Sequence, residues 1–302
     1  MALPKLKADT TAARLDGLVL PKGSVWATAT REDALSRVQT MGLPTKRDEY
    51  WRYSDPASLT VADAPSAAIF DNDEAALFAG VDSVKVVFVD GVFDAAASDD
   101  LVAEGLEIAR LADVLSTDIH WAKDLYGVLE ARGQNPVERP LAALNTAIAT
   151  DGIVICATAK VAKPVNLIYL HQDKTSDVAI HNLVKVEAGA ELTILETGPA
   201  AARFSSVIEV DVADAGAFHH VRAQGRDHER RAVTHCFARI AKESAFKSFT
   251  LTFNGVLTRN ECIIEITGDD AIAHVAGACV GDGKDFHHDD TIFVTHDALN
   301  GE

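Results

Sequence analysis

Past residue 150 the chain falls into short runs that alternate apolar and polar positions, and these runs repeat. Anchored at Val186, the counterparts are Val212, Ile240 and Ile266, at intervals of 26, 28 and 26 residues. Each anchor closes an alternating run: His181–Val186, Val207–Val212, His235–Ile240 and Glu261–Ile266. A turn follows, then an apolar residue six positions on: Leu192, Phe218, Phe246 and Ile272. A period in the twenties with no room for a helix predicts a solenoid of stacked rungs. Residues one period apart then become neighbours about 4.8 Å apart.

Strand side chains alternate, so the anchor and the residues two and four before it share a face. These read Val186/Val184/Asn182, Val212/Val210/Ile208, Ile240/Ala238/Cys236 and Ile266/Ile264/Cys262, an interior face. The position before each anchor reads Lys185, Asp211, Arg239 and Glu265, a solvent-facing ladder of alternating sign. Opposite charges on adjacent rungs favour this register, though exposed pairs contribute only about 0–1 kcal/mol each.

Before the repeat the pattern is mixed. Residues 1–24 read as a loosely ordered arm. Thr30 is placed to cap a helix from Arg31 to about Met41, ended by Gly42 and Pro44. The stretch to about Gly80 is rich in Ala and Asp and partly helical. Val84–Asp90, Gly91 and Val92–Phe93 read as strand, turn and strand, and Ala122–Arg132 and Leu141–Ile148 as helices. The expected fold is mainly β: a parallel β-helix over residues 151–302, preceded by a helical or mixed α+β region over residues 1–150. The last rung ends without a closing helix, so a fragment, or an end covered by a partner, is expected.

At 302 residues and 48% hydrophobic, the chain can bury a sizeable core. A formal charge of −17 opposes binding to nucleic acid or to an anionic membrane surface. No apolar run approaches the ~18 residues that span a bilayer. Met1–Thr10 has no apolar segment and does not read as a signal peptide. The four cysteines (156, 236, 262 and 279) form no C-x-x-C pair and fit free thiols in a reducing cytoplasm. No G-x-x-x-x-G-K-[ST] loop occurs, so ATP is not hydrolysed by this chain, and Lys85 and Lys185 belong to no phosphate loop.

The densest set of potential ligands is Asp285, His287, His288, Asp289 and His296, with Cys279 nearby. Imidazole and carboxylate suit iron(II), which makes His287, His288 and His296 the candidate metal ligands. On one strand His287 and His288 face opposite sides, so at most one joins a given site. The plainer reading is a polar edge that hydrogen-bonds at a subunit interface, with Asp285, His287, Thr291 and His296 as its residues. Cys236 and Cys262 sit one repeat apart and should stack inside, as small core hydrophobes rather than a cluster site. His219, His220 and His228 with Arg222, Arg226, Arg230 and Arg231 read as a solvated charged turn. Trp51, with Tyr50 and Tyr53, reads as a packing anchor.

Two segments carry a resemblance. Gly42-Leu-Pro-Thr-Lys-Arg-Asp-Glu-Tyr-Trp51-Arg-Tyr53-Ser54 is similar to the G-L-P-T-x-x-x-E-x-W-[KR]-Y-[ST] motif of the SufB/SufD family of iron–sulfur cluster assembly proteins. Asp285 to His296 resembles that family's D-x-H-x-x-T-x-x-x-H segment. Val86–Gly91, Asp151-Gly152 and Lys163-Pro164 fall where the family has its V-F-V-D-G strand and its entry to the β-helix. The arm and N-terminal region look more like the SufD member than SufB. The resemblance implies a right-handed parallel β-helix and a cytoplasmic complex in which a SufD-like subunit pairs with a SufB-like one and works with the ATPase SufC. It implies a non-enzymatic subunit with no tightly bound cofactor, which meets iron or a nascent cluster transiently at the partner interface. The family's later rungs, Cys-x-His-Gly element and ATPase-gripping helices have no counterpart here. The rival reading is a β-helix enzyme acting on carbohydrate, which needs carboxylates stacked on one outer wall. A hexapeptide-repeat acyltransferase needs a shorter period and fails.

Overall fold

The fold is seen in a computed structural model that describes residues 3–301 except 71–76, 199–200, 226 and 284. The period dictates the architecture. β5 (Ile153–Ala157), β7 (Asp177–Val186), β9 (Arg203–Val212), β11 (Arg231–Ile240), β13 (Leu257–Ile266) and β15 (His288–His296) stack in parallel as one wall, here called the B wall. β6 (Val165–Leu170), β8 (Glu191–Thr197), β10 (Ala217–Gln224), β12 (Ala245–Phe253) and β14 (Ile272–Val280) stack as the other, the A wall. The result is a parallel β-solenoid of about five turns. Val186, Val212, Ile240 and Ile266 are register partners in succession, as the spacing requires. Phe218 and Phe246 pair likewise on the A wall, and all six side chains lie in the core between the walls.

Strands from the first half extend both walls. β1 (Val84–Val89) joins β6 in parallel and turns through Gly91 into β2 (Val92–Phe93). β4 (Leu106–Arg110) pairs antiparallel with β5 and with β3 (Val102–Ala103), neither of which the pattern indicated.

The ladder has the expected register, but its members are half-buried rather than solvent-facing, and it pairs only in part. Arg239 holds Asp211 at 2.7 Å, whereas Lys185 turns to Glu187 at 2.6 Å and Glu265 accepts from Arg132 Nε at 3.1 Å. The reason is a cover. Two further outward rows, Leu183/Glu209/Phe237/Ile263 and His181/Val207/His235/Glu261, are buried beneath helices.

Those helices correct four expectations. The arm is ordered: α1 (Lys5–Leu15) is tied down by Lys7 to Asp48 at 3.1 Å and by Arg14 to Asp177 at 2.8 Å. α2 (Val25–Met41) begins at the cap Ser24, not at Thr30, whose hydroxyl bonds the Trp26 carbonyl from inside the helix. The predicted Ala122–Arg132 helix is split into a 3₁₀ turn (Trp121–Asp124) and α5 (Val128–Arg132). Gly127 (φ 70°) makes the break, and the Glu209 carboxylate reaches off the B wall to accept from the N–H groups of Gly127, Leu129 and Glu130 at 2.5–3.0 Å. This supplies the acceptor that a helix start lacks. Of the aromatic trio only Trp51 packs; Tyr50 and Tyr53 are exposed. α3 (Ala57–Thr60), α4 (Leu111–Val114) and α6 (Pro140–Ile148) complete the cover, with α6 lying on β7 and β9.

Candidate functional site

The histidine segment is the last rung. Asp285 is exposed with φ 64°, and the chain enters β15 three residues later. His287 Nε2 lies 2.8 Å from Ser54 Oγ, and Ser54 donates its one proton to Asp289, so His287 is the donor to Ser54. His288 Nε2 donates to the Asn254 carbonyl at 2.6 Å. Thr291 is half-buried, and His296 is exposed with Gly301 packed against its ring. The three histidines are therefore not brought together. Among the described residues no three His, Cys, Asp or Glu side chains converge where they would hold a metal ion.

What the segment does make is a clasp. Arg259, buried, joins Asp289 to Glu261 (2.7 Å to the latter) and lays its guanidinium 4.3 Å from the centre of the Trp51 ring. Arg139 holds the other Glu261 oxygen at 2.7 Å and donates to the Gly133 and Val137 carbonyls. A desolvated cation–π contact of this kind contributes about 2 kcal/mol. Trp51 and Ser54, from one motif, thus close on His287 and Asp289, from the other.

A second polar feature runs inside the solenoid. On β10 the inward parity of Phe218 continues through His220, Arg222 and Gln224, all buried. This corrects the solvated-turn reading of His220, Arg222 and also Arg230, which is buried and brackets the Gly225 carbonyl at 2.6 Å. His219 is half-buried and His228 lies on the surface, while Arg226 falls outside the described residues. The Glu196 carboxylate accepts from Tyr169 Oη (3.0 Å), His220 Nε2 (2.8 Å) and Arg222 Nε (2.6 Å). Arg222 passes the chain to Thr234 (2.7 Å), Thr234 to Asn260 (2.8 Å), and Asn260 to Asp290 (2.8 Å), which accepts from Cys279 Sγ at 3.1 Å. A hydrogen-bonded seam therefore runs up the lumen from Tyr169 to the last rung.

Its electrostatics follow from burial and pairing. Burial would raise Glu196, but Arg222 and His220 outweigh it and hold the carboxyl far below its usual range. Burial lowers His220 and raises Tyr169 well above the phenol value. Cys236 and Cys262 are register partners beside the seam, Cys236 buried and Cys262 half-buried. The Cys262 thiol beside it, together with burial, pushes Cys236 well up. Burial and the Asp290 carboxylate push Cys279 up to about 12.

The molecule is thus a two-walled parallel β-solenoid, covered on one wall by helices and threaded by a polar seam. Comparison with family descriptions gives two matches: the SufBD protein N-terminal region over residues 21–167, and the SUF system FeS cluster assembly SufBD core domain over residues 169–302. The chain belongs to the SufB/SufD family of the SUF system for iron–sulfur cluster assembly. Comparison with curated proteins returns no match. Among the described residues no helix is long and apolar enough to cross a membrane.

Proposed function

We propose that this chain is a SufD-like subunit of the cytoplasmic SUF machinery. It pairs with a SufB-like scaffold through its solenoid, works with a SufC-like ABC-type ATPase, and carries no catalytic centre of its own. Iron or a nascent cluster is cargo met at the partner interface, where Asp285, His287, Thr291 and His296 lie on the last rung. The observation that carries this reading is the match of both family regions over residues 21–302 on a solenoid whose entry motif is clasped to its histidine segment. The carbohydrate-enzyme reading loses support because the Asp211 and Glu265 carboxylates of the outer ladder are bound to Arg239 and Arg132.

Co-expression of the tagged chain with a SufB-like subunit and a SufC-like ATPase tests it. A stoichiometric complex is expected, with ATP hydrolysis that follows the ATPase and is absent from the chain alone. A chain that stays free of both, or that cleaves polysaccharide, overturns the proposal.

A further inference from the structure

Cys236 and Cys262 face the lumen as direct register partners on β11 and β13, with Ile208 and Ile292 paired below and above them. Neighbours in register are about 4.8 Å apart at Cα, inside the roughly 4.4–6.8 Å range a disulfide spans. Beside them lies a cavity of about 60 Å³, lined by both cysteines and by His220, Arg222, Ser248 and Asn260. That volume suits a molecule of two or so heavy atoms, since a water occupies about 30 Å³. Arg222 is buried, and its Nη2 has no hydrogen-bond partner in the protein. The cavity thus offers an idle donor beside two adjacent sulfurs.

We propose that this cavity admits a small peroxide and that Cys236 and Cys262 then form a reversible disulfide between neighbouring rungs. Cys262, the less buried thiol, loses its proton and attacks one peroxide oxygen. The O–O bond breaks, a sulfenic acid forms on Cys262, and the departing hydroxide takes the proton as water. The Cys236 sulfur displaces hydroxide from that sulfenic acid, forming the S–S bond and breaking S–O. The Cys236 proton leaves with the hydroxide as a second water. Two thiols lose two electrons and the peroxide gains them. A metal held by two thiolates would add charge to a lumen where Glu196 and Arg222 already balance. The disulfide is neutral, the form burial favours. The inference is independent of the assembly role.

The experiment uses the native chain with hydrogen peroxide, quenched with catalase, then denatured in an alkylating agent and weighed. Two of the four cysteines should escape alkylation, so the oxidised chain carries two labels fewer than the untreated one, and a dithiol reductant restores both. Cleavage after arginine leaves Cys262 and Cys279 on one peptide, so the bridge is mapped in Cys279→Ser, which alters an exposed residue. A crosslink from Cys236 to Cys262 supports the proposal. In Cys236→Ser, dimedone should instead trap the Cys262 sulfenic acid. Four alkylatable cysteines after oxidation, or a crosslink through Cys156 or Cys279, overturns it.

Discussion

His235 Nε2 lies 3.9 Å from Glu261 Oε1, and Arg139 and Arg259 hold the same carboxylate. Burial lowers His235 to about 4, against the pull of Glu261. Burial would raise Glu261, but His235 and the two guanidiniums hold it at about 2. Below about pH 6.5 the unfolded chain takes up a proton on His235 that the fold refuses, so this contribution falls between about pH 6.5 and 4. Glu261 contributes above its unfolded value of about 4.3, and that share is lost as pH falls toward 2. Urea midpoints should therefore fall in two stages on acidification, each on the order of 3 kcal/mol. His235→Gln should shrink the upper stage, leaving a remainder from His220, and should also reduce the lower one, because His235 is part of what holds Glu261 down; an unchanged upper slope would refute the assignment. Arg222→Met should cost about 3–5 kcal/mol in the same assay, because it strands the buried Glu196 carboxylate.

Among the elements, the rung strands were legible and their cover was not. The anchors fix the register because a slip by one residue would turn Val186, Val212, Ile240 and Ile266 out of the core. The helical cover did leave a signal. Leu183, Phe237 and Ile263 are apolar at outward positions, which a bare wall would not tolerate, whereas the charged row before the anchors suggests an open one. The lumen seam was missed for a related reason. By composition His220 and Arg222 read as a turn, although they share the parity of Phe218 on β10. The clasp lay beyond sequence reasoning, since Ser54 and His287 are 233 residues apart. The entry to the β-helix is a tightly constrained junction. Gly152 has φ 155°, and a Cβ there would lie 1.9 Å from the His181 carbonyl oxygen, backbone of a paired strand. Gly152→Ala should therefore lower stability by more than about 3 kcal/mol, read as a fall in Tm. A Tm within two degrees of the parent would show that the junction can shift.

At the scale of the whole molecule, the helical region and the last rung should open together. Ser54→Ala removes the acceptor of His287 and one donor to Asp289. Hydrogen exchange should then quicken both around residues 49–61 and around residues 287–292, while β7 and β9 keep their protection. Faster exchange in only one of the two segments would mean that the clasp does not couple them.

That clasp also sets a length. Solenoids ordinarily gain or lose rungs at little cost, because each repeat meets only its neighbours. Here α6 lies on β7 and β9, α5 touches β11, Arg132 reaches Glu265 on β13, and Ser54 reaches the entrance of β15. An inserted or deleted rung would displace His287 from Ser54 by about 4.8 Å, more than a hydrogen bond can stretch. The helices thus act as a gauge rod laid along the stack, and the rungs between the entry motif and the histidine segment have lost the freedom to change their number.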